Sequence, residues 1–399
     1  MTQTTLTLSR RSFAQLLGGG IAGGAATAAL RSLAALPAAA EGGAAAPALR
    51  PLRSLKPLRL LAGEKVAVGE VVRLNANENP LGPSPAAIEA MRGAFGLAWR
   101  YPDEHAAPLE EELAKLHGVV RRQVLLGNGS SQILQLCAAA CCGPGRAAVA
   151  AEPTFEAILH HASTAGAPVL KVPLTADYRH DLPRMLAAAQ GAGLIYLCNP
   201  NNPTGTLTPR DEVRAFLAQA PSQTAVVVDE AYFHFVDSAD YESVIPLVRE
   251  HANLVVARTF SKIYGMAGLR CGYAVAAPAM IERLRAHQPF DSVNIMALVA
   301  ARASLADADH VAHGRQVNAE IRKTTVSELA AMGYRSIPSA TNFFMTDLRR
   351  EVTPVIQALR ERRVEVGRLF PALPHFLRVT VGTAEQMRAF LAAFRQVVA

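Results

Sequence analysis

Seven short apolar runs between residues 124 and 275 constrain the fold of this chain more than any other feature of its sequence. Most of them are separated by segments of helical length. They are Val124–Leu126, Ala147–Ala151, Val169–Val172, Leu194–Cys198, Ala225–Val228, Leu254–Ala257 and Tyr273–Val275. This alternation predicts a largely parallel β-sheet with helices on both faces. The uninterrupted apolar run Ala225–Val228 also indicates a strand that is buried on both sides.

The rest of the chain predicts a second, smaller α/β unit. An Ala-rich helical stretch runs from Asn294 to about Met332, and three further strand-like runs with helices follow it: Phe343–Thr346, Val364–Val366 and Leu377–Val381. A chain of 399 residues has room for two domains. We therefore predict a large domain at residues 99–292 and a small C-terminal domain at residues 293–399. Residues 41–98 are expected to form an N-terminal arm and part of the small domain.

The first forty residues are predicted to be a twin-arginine signal peptide. Arg10 and Arg11 precede a short, glycine-rich apolar stretch, and Ala38 and Ala40 offer a small-x-small cleavage site. The stretch is shorter than the about 20 apolar residues that a membrane span needs. We expect a periplasmic protein without stable membrane insertion, or a cytoplasmic one if the signal is not used.

Charge and cysteine content exclude several classes of protein. The net charge is +7, but the basic residues form no run of the kind that nucleic-acid-binding proteins show. Five cysteines are too few, and odd in number, for a disulfide framework. Neither His160–His161 nor His234 has a third ligand at metal spacing, so no metal site is predicted.

Polar residues follow five of the predicted strands. Ligands collect at the carboxyl ends of the strands in an open parallel sheet, so we expect these residues to meet at one edge. They are the turn Gly127–Gln132, the segment Glu152–Phe155, the loop Asn199–Gly205, the segment Asp229–Tyr232, and Arg258–Lys262 with Arg270 eight residues later. The glycine-containing turn Gly127–Gln132 precedes a helix, and backbone amides at a helix N-terminus bind anions.

This set of side chains matches the chemical needs of pyridoxal phosphate. Lys262 is the candidate amine for a Schiff base with the aldehyde. Asp229, at the end of a buried strand, is expected to keep the pyridine nitrogen protonated. Asn202 and Tyr232 are candidate donors to the phenolic oxygen, and Phe155 can stack on the ring. The candidate phosphate ligands are Arg270, Thr259, Ser261, Ser130, Ser131 and Gln132.

Six motifs in the same order along the chain resemble those of the fold-type I, class I/II aminotransferases, and most closely the histidinol-phosphate aminotransferase group. They are Leu74–Pro80, Arg100–Pro102, Asn199–Gly205, Asp229–Tyr232, Arg258–Lys262 and Leu377–Thr383. The interval between Lys262 and Arg270 is also that of the family. The resemblance implies the fold of pyridoxal-phosphate transferases of type I.

The resemblance further implies transfer of an amino group between an amino acid, or an amine such as histidinol phosphate, and a 2-oxo acid such as 2-oxoglutarate. Lys262, Asp229 and Tyr232 would be the catalytic residues. Arg378 would bind the substrate carboxylate or phosphate, and Asn77 and Arg368 are further candidate substrate ligands. Tyr101 would reach the cofactor phosphate of a neighbouring subunit, which implies a homodimer with shared active sites.

Two other functions share these residues. A decarboxylase or lyase on the same scaffold would need the same cofactor ligands, because the bond that breaks depends on its alignment with the cofactor ring. A non-catalytic binding protein that kept the fold is the other alternative. Conversion of an amino acid only when a 2-oxo acid is supplied would distinguish a transaminase from a decarboxylase or lyase. A colourless purified protein that cannot be reconstituted would favour the binding protein.

Overall fold

The computed structural model describes residues 71–398. The predicted signal peptide at residues 1–40, and the part of the arm at residues 41–70, lie outside the described residues. Strands in this range are β1 (Val72–Leu74), β2 (Val124–Gly127), β3 (Ala148–Glu152), β4 (Val169–Pro173), β5 (Leu194–Cys198), β6 (Ala225–Asp229), β7 (Leu254–Thr259), β8 (Gly272–Ala276), β9 (Phe343–Asp347), β10 (Val364–Val366) and β11 (Phe376–Thr380).

The α-helices of the described part surround these strands. They are α1 (Pro85–Ala94), α2 (Asp103–His117), α3 (Ser130–Cys141), α4 (Ala157–Thr164), α5 (Leu182–Ala188), α6 (Arg210–Gln219), α7 (Pro278–Arg285), α8 (Ile295–Leu305), α9 (Ala308–Ala331), α10 (Val352–Glu361) and α11 (Ala384–Val398). The predicted helical stretch from Asn294 to Met332 is thus two helices, α8 and α9.

A seven-stranded sheet forms the centre of the molecule, with the strand order β2-β8-β7-β6-β5-β3-β4. Each of the seven predicted runs is one of its strands. Pairing is parallel throughout except at β8, which is antiparallel to both of its neighbours. The prediction of an α/β fold with a mostly parallel seven-stranded sheet is confirmed.

Helices cover both faces of this sheet. Alternate side chains of a strand point to opposite faces, and in β6 Val226 and Val228 join one hydrophobic cluster while Val227 joins another. The first cluster includes Leu113 of α2 and the second includes Ile133 of α3. Two-sided burial explains why the strand sequences are continuously apolar.

The short strands outside the central sheet form two pairs, not one sheet. Strand β1 pairs in parallel with β10, and β9 pairs antiparallel with β11. They share a hydrophobic cluster with α10 and α11, to which Val72, Phe344 and Phe390 belong. Strand β1, which was not predicted, therefore packs with C-terminal elements. The proposed domain boundaries remain predictions.

The carboxyl ends of five strands and the start of β8 lie along one edge of the sheet. Gly272 of β8 pairs with Gly127 on one side and with Thr259 on the other. Asp229, the last residue of β6, pairs with Cys198, the last residue of β5. The polar segments that follow these strands are therefore brought together.

None of the helices in residues 71–398 is long and apolar enough to cross a membrane. Within the same range, no group of three His, Cys, Asp or Glu side chains lies close enough together to hold a metal ion.

Candidate active site

A cavity of about 470 Å³ opens at this edge of the sheet. It brings together twelve of the predicted site residues. They are Asn77, Ser130, Ser131, Phe155, Asn202, Tyr232, Thr259, Ser261, Lys262, Arg270, Arg368 and Arg378. Residues that are up to 301 positions apart in the sequence, such as Asn77 and Arg378, therefore face the same space.

Arg270 and two glycines form a cradle for an anion at one end of the cavity. Gly129 has a φ of 75°, and a Cβ atom on it would lie 2.2 Å from Nη2 of Arg270. A Cβ atom on Gly272 would lie 2.4 Å from the backbone nitrogen of Ser130, the first residue of α3. Only glycine permits both approaches, which bring the guanidinium and the start of a helix to the same place.

Hydroxyl groups complete this cradle. Nη1 of Arg270 donates to Oγ of Ser261 at 3.3 Å and to the Ala267 carbonyl at 3.0 Å. Oγ1 of Thr259 donates to Oγ of Ser261 at 2.9 Å. The arginine is thereby held with its charge towards the cavity, beside two hydroxyls that can bind phosphate oxygens.

Lys262 lies at the centre of the site. Its Nζ donates to the backbone carbonyl of Asn77 at 3.1 Å. Burial and, to a smaller extent, the Arg378 guanidinium together lower the pKa of Lys262 from 10.5 to about 8, against the opposing effect of the Asp229 carboxylate. A substantial fraction of the amine is therefore neutral near physiological pH, which is the form that attacks an aldehyde or accepts a proton.

Asp229 lies behind the cavity wall and is only 2 % exposed. Its carboxylate accepts hydrogen bonds from the Tyr196 phenol at 2.9 Å and from the Ala231 amide at 3.0 Å. Burial raises the pKa of Asp229 to about 6, and these two hydrogen bonds and Lys262 act against that rise. The carboxylate is mostly ionised at neutral pH. Sequence reasoning missed Tyr196 because it lies within an apolar strand.

Asn77 connects the N-terminal segment to the rest of the site. Its side-chain amide donates to the Tyr232 phenol at 3.1 Å, and its backbone amide donates to Oγ1 of Thr380 at 2.9 Å. The side chain of Asn342 donates to the Asn77 carbonyl at 3.1 Å. Neither Thr380 nor Asn342 was predicted, because each acts through Asn77 and not at the cavity surface.

Arg378 provides the cation at the other end of the cavity. Nη1 donates to Oδ1 of Asn202 and Nη2 to the Asn75 carbonyl, both at 2.8 Å. Nε is buried and has no hydrogen-bond partner. Burial lowers the pKa of Arg378, but arginine remains charged at physiological pH. The charged guanidinium makes this end of the cavity favourable for an anionic group such as a carboxylate.

Arg368 lies at the same end of the cavity and is paired with Glu156, a cavity residue that was not predicted. The aromatic ring of Phe370 is close to both arginines: the Arg368 guanidinium carbon is 4.4 Å from its centroid and the Arg378 guanidinium carbon is 5.1 Å from it. The substrate end therefore contains two cations, one carboxylate and one aromatic ring.

Three predicted residues do not line the cavity. Asp229 is beneath it. The side chain of Gln132 accepts a hydrogen bond from the Asn128 amide at 2.7 Å and thus braces the turn. The Tyr101 side chain is on the surface, where the residue is 79 % exposed. The roles predicted for Gln132 and Tyr101 stay predictions.

Comparison with known protein families shows which family has this sequence. Residues 69–394 match the family model "Aminotransferase class I and II". The chain belongs to this family. The aminotransferase is 41 % identical over 340 residues to the histidinol-phosphate aminotransferase of Moorella thermoacetica, and this match covers 84 % of the chain and 87 % of that protein. It is 43 % identical over 334 residues to the protein of the same name from Symbiobacterium thermophilum, covering 83 % of the chain and 91 % of that protein.

A solved structure extends the comparison to three dimensions. The histidinol-phosphate aminotransferase of Sinorhizobium meliloti, in complex with pyridoxal-5'-phosphate, superimposes with a TM-score of 0.79 at 29 % sequence identity. The match covers 82 % of this chain and 91 % of that one. The predictions of the aminotransferase family, of a transaminase activity and of pyridoxal phosphate as the cofactor are confirmed.

The geometry of the aminotransferase site fits this cofactor. The cradle around Arg270 suits the phosphate, because Gly129 has no Cβ atom and so leaves space beside the guanidinium. The buried amine of Lys262 suits the aldehyde, and the buried carboxylate of Asp229 suits a cationic ring nitrogen. Both groups keep their functional charge state through the local environment, as the chemistry of the cofactor requires.

Proposed function

We propose that this aminotransferase moves an amino group from histidinol phosphate, or from an amino acid, to a 2-oxo acid such as 2-oxoglutarate. The observation that supports the proposal is a single cavity lined by both the buried, low-pKa amine of Lys262 and the buried guanidinium of Arg378. The names of the curated relatives support histidinol phosphate as a donor.

Pyridoxal phosphate would be held at five points. The phosphate would be bound by Arg270, Ser130, Ser131, Thr259 and Ser261, and Gln132 would stabilise the turn Gly127–Gln132. Lys262 would bind the aldehyde carbon, while Asp229 would pair with the ring nitrogen. Asn202 and Tyr232 would donate to the phenolic oxygen, and Phe155 would stack on the ring. When bound, the cofactor withdraws electrons from the substrate α-carbon.

The residues of the chain have distinct tasks in the reaction. Lys262 would accept the proton from the substrate α-carbon and then give it to the cofactor, and a pKa near 8 suits an amine that must both take up and release a proton. Asp229 remains a carboxylate throughout. Arg378 binds the acidic group of the donor and later that of the acceptor. Asn77 orients the Tyr232 phenol by donating a hydrogen bond to it.

Replacement of Lys262 tests the proposed function. We expect Lys262→Ala to abolish the visible absorbance that the bound cofactor owes to this amine and to lower turnover by at least about 1,000-fold. Lys323→Ala, on the exposed surface of α9, is the control and should behave as the wild type. A Lys262→Ala protein that transaminates at the normal rate would refute the assignment.

The donor is identified by a half-reaction screen. The cofactor-loaded protein is mixed with histidinol phosphate, histidinol, glutamate or an aromatic amino acid, and the change in cofactor absorbance is followed. Fast conversion by histidinol phosphate and slow conversion by histidinol would support a phosphate-binding donor site. Release of carbon dioxide, without any need for a 2-oxo acid, would instead indicate a decarboxylase.

We also propose that the active unit is a homodimer in which Tyr101 reaches the cofactor phosphate of the partner subunit. Three aromatic residues close together in sequence support an interface: Phe95 is 63 % exposed, and Trp99 and Tyr101 are each 79 % exposed. Analytical ultracentrifugation should show a dimer. Tyr101→Phe should weaken cofactor affinity without dissociating that dimer, whereas unchanged affinity would argue against the contact.

Finally, we propose that residues 1–40 direct the folded protein to the periplasm by the twin-arginine route. The adjacent Arg10 and Arg11, followed by an apolar stretch, support this localisation. Replacement of both by lysine should retain the precursor in the cytoplasm, as measured by cell fractionation. Unaltered export of that variant would contradict the proposal.

A further inference from the structure

Glu156 and Arg368 form an ion pair at the substrate end of the cavity, although they are 212 positions apart in the sequence. Glu156 directly precedes helix α4, and Arg368 follows strand β10. Both side chains line the cavity. The pair therefore occupies space that a substrate side chain must enter.

The contacts of Arg368 fix its guanidinium in place without burying it. The guanidinium carbon lies 4.4 Å from the centroid of the Phe370 ring, and Nη1 donates to the Leu369 carbonyl at 2.9 Å. The side chains of Arg368 and Glu156 are 54 % and 58 % exposed. Ion pairs with this exposure are weak, so an anionic ligand can replace the carboxylate of Glu156 at little cost.

Arg378 lies close to the same aromatic ring, with its guanidinium carbon 5.1 Å from the Phe370 centroid. A substrate with its α-carboxylate on Arg378 therefore has a second cation, Arg368, available to its side chain in the same cavity. A second anionic group on that side chain competes with Glu156. An uncharged side chain does not, and leaves the ion pair intact.

We propose that Glu156 is a specificity-determining residue, which competes with the anionic end of a substrate for Arg368. The inference rests on the proposed function, because it assigns Arg378 to the substrate carboxylate. Glu156 thus weakens the binding of substrates with two acidic groups relative to those with an uncharged side chain.

The test uses Glu156→Gln, which keeps the size of the side chain and removes its charge. Binding of succinate and of butyrate to the cofactor-loaded protein is measured by calorimetry, because neither compound reacts. We expect the variant to bind succinate about threefold more tightly than the wild type, as suits an exposed ion pair, and butyrate equally well. KM for glutamate should fall by a similar factor while kcat stays constant.

Two controls separate this effect from a general change in charge. Glu385→Gln removes a carboxylate of similar exposure, which is paired with Arg388 on helix α11, and should change neither affinity. In an Arg368→Gln background, Glu156→Gln should no longer improve succinate binding. An unchanged succinate-to-butyrate ratio in Glu156→Gln would overturn the proposal. Failure of the wild type to transaminate would instead overturn the proposed function, since the binding measurement does not depend on turnover.

Discussion

The phenol of Tyr196 donates a hydrogen bond of 2.9 Å to the carboxylate of Asp229 in the fully buried floor of the site. Register explains the contact: Cys198 lies opposite Asp229 on the adjacent strand, and Tyr196 is two residues earlier, so its side chain points to the same face of the sheet. Burial raises the pKa of Tyr196 far above 10, and the phenol therefore remains a donor at every working pH.

Tyr196→Phe is expected to weaken cofactor binding more at low pH than at high pH. The carboxylate form of Asp229 predominates above its pKa of about 6, and loss of a hydrogen bond that lowers this pKa moves the transition to higher pH. Since hydrogen bonds to charged groups contribute about 1.5–3 kcal/mol, we expect an affinity loss of at least about tenfold at pH 6.5.

A fluorescence titration of pyridoxal phosphate at pH 6.5 and 8.5 checks this expectation. Tyr273→Phe is the matched control, because its buried phenol contacts His117 at 2.9 Å and not the site. A purely structural role for Tyr196 would give the same loss of affinity at both pH values.

Capture of the cofactor should accelerate as the pH rises through about 8. Burial is the main cause of the lowered pKa of Lys262, and its amine must lose a proton before it attacks the aldehyde. Stopped-flow absorbance with the cofactor-free protein should therefore show a rate that increases up to about pH 8 and levels off above it. A rate that continues to rise to pH 10.5 would mean that the amine is not perturbed.

Gly129→Ala should impair phosphate binding more than the strain of its backbone alone explains. A Cβ atom there would lie 2.2 Å from the Arg270 guanidinium. Gly145→Ala is the matched control, since Gly145 has a similar φ of 77° but no atom within 4 Å of its Cβ position. Inorganic phosphate should compete with the cofactor for the cradle, so it should inhibit cofactor loading. We expect the inhibition constant of phosphate to rise about tenfold or more in Gly129→Ala only. Equal inhibition constants in both variants would contradict the assignment of the cradle.

Glu230→Gln should strongly destabilise the fold. The carboxylate of Glu230 binds Arg258 at 2.6 Å, and their side chains are only 1 % and 5 % exposed. Loss of one charge leaves the other buried without a counter-ion, at a cost of about 3–5 kcal/mol in the free energy of unfolding. Glu112→Gln breaks the half-exposed pair with Arg302 and should cost less than about 1 kcal/mol. Urea denaturation measures both values, and similar losses would contradict the role of burial.

Sequence patterns predicted the central sheet because its strands are buried on both faces and read as continuous apolar runs. Strand β1 gives no such signal: it has three residues, with the polar Arg73 in the middle, and forms through its pairing with β10. Tertiary contacts thus decide that strand.

The same distinction applies to the site. Lys262 and Arg270 could be predicted because they follow a recognisable strand. Tyr196 could not, since its hydrogen bond depends on the register of β5 and β6, which the apolar pattern alone does not specify. The pairing of Glu156 with Arg368 depends on how distant parts of the chain pack, and no local pattern encodes it.

The reversed direction of β8 has a consequence for the cofactor. Thr259 and Gly272 are paired neighbours in the sheet, so the segment between them is a closed loop that carries both Lys262 and Arg270. The length of this one loop sets the separation between the amine and the guanidinium. Arg368 and Arg378 belong to other segments, so substitutions that alter the substrate end of the cavity leave this separation unchanged.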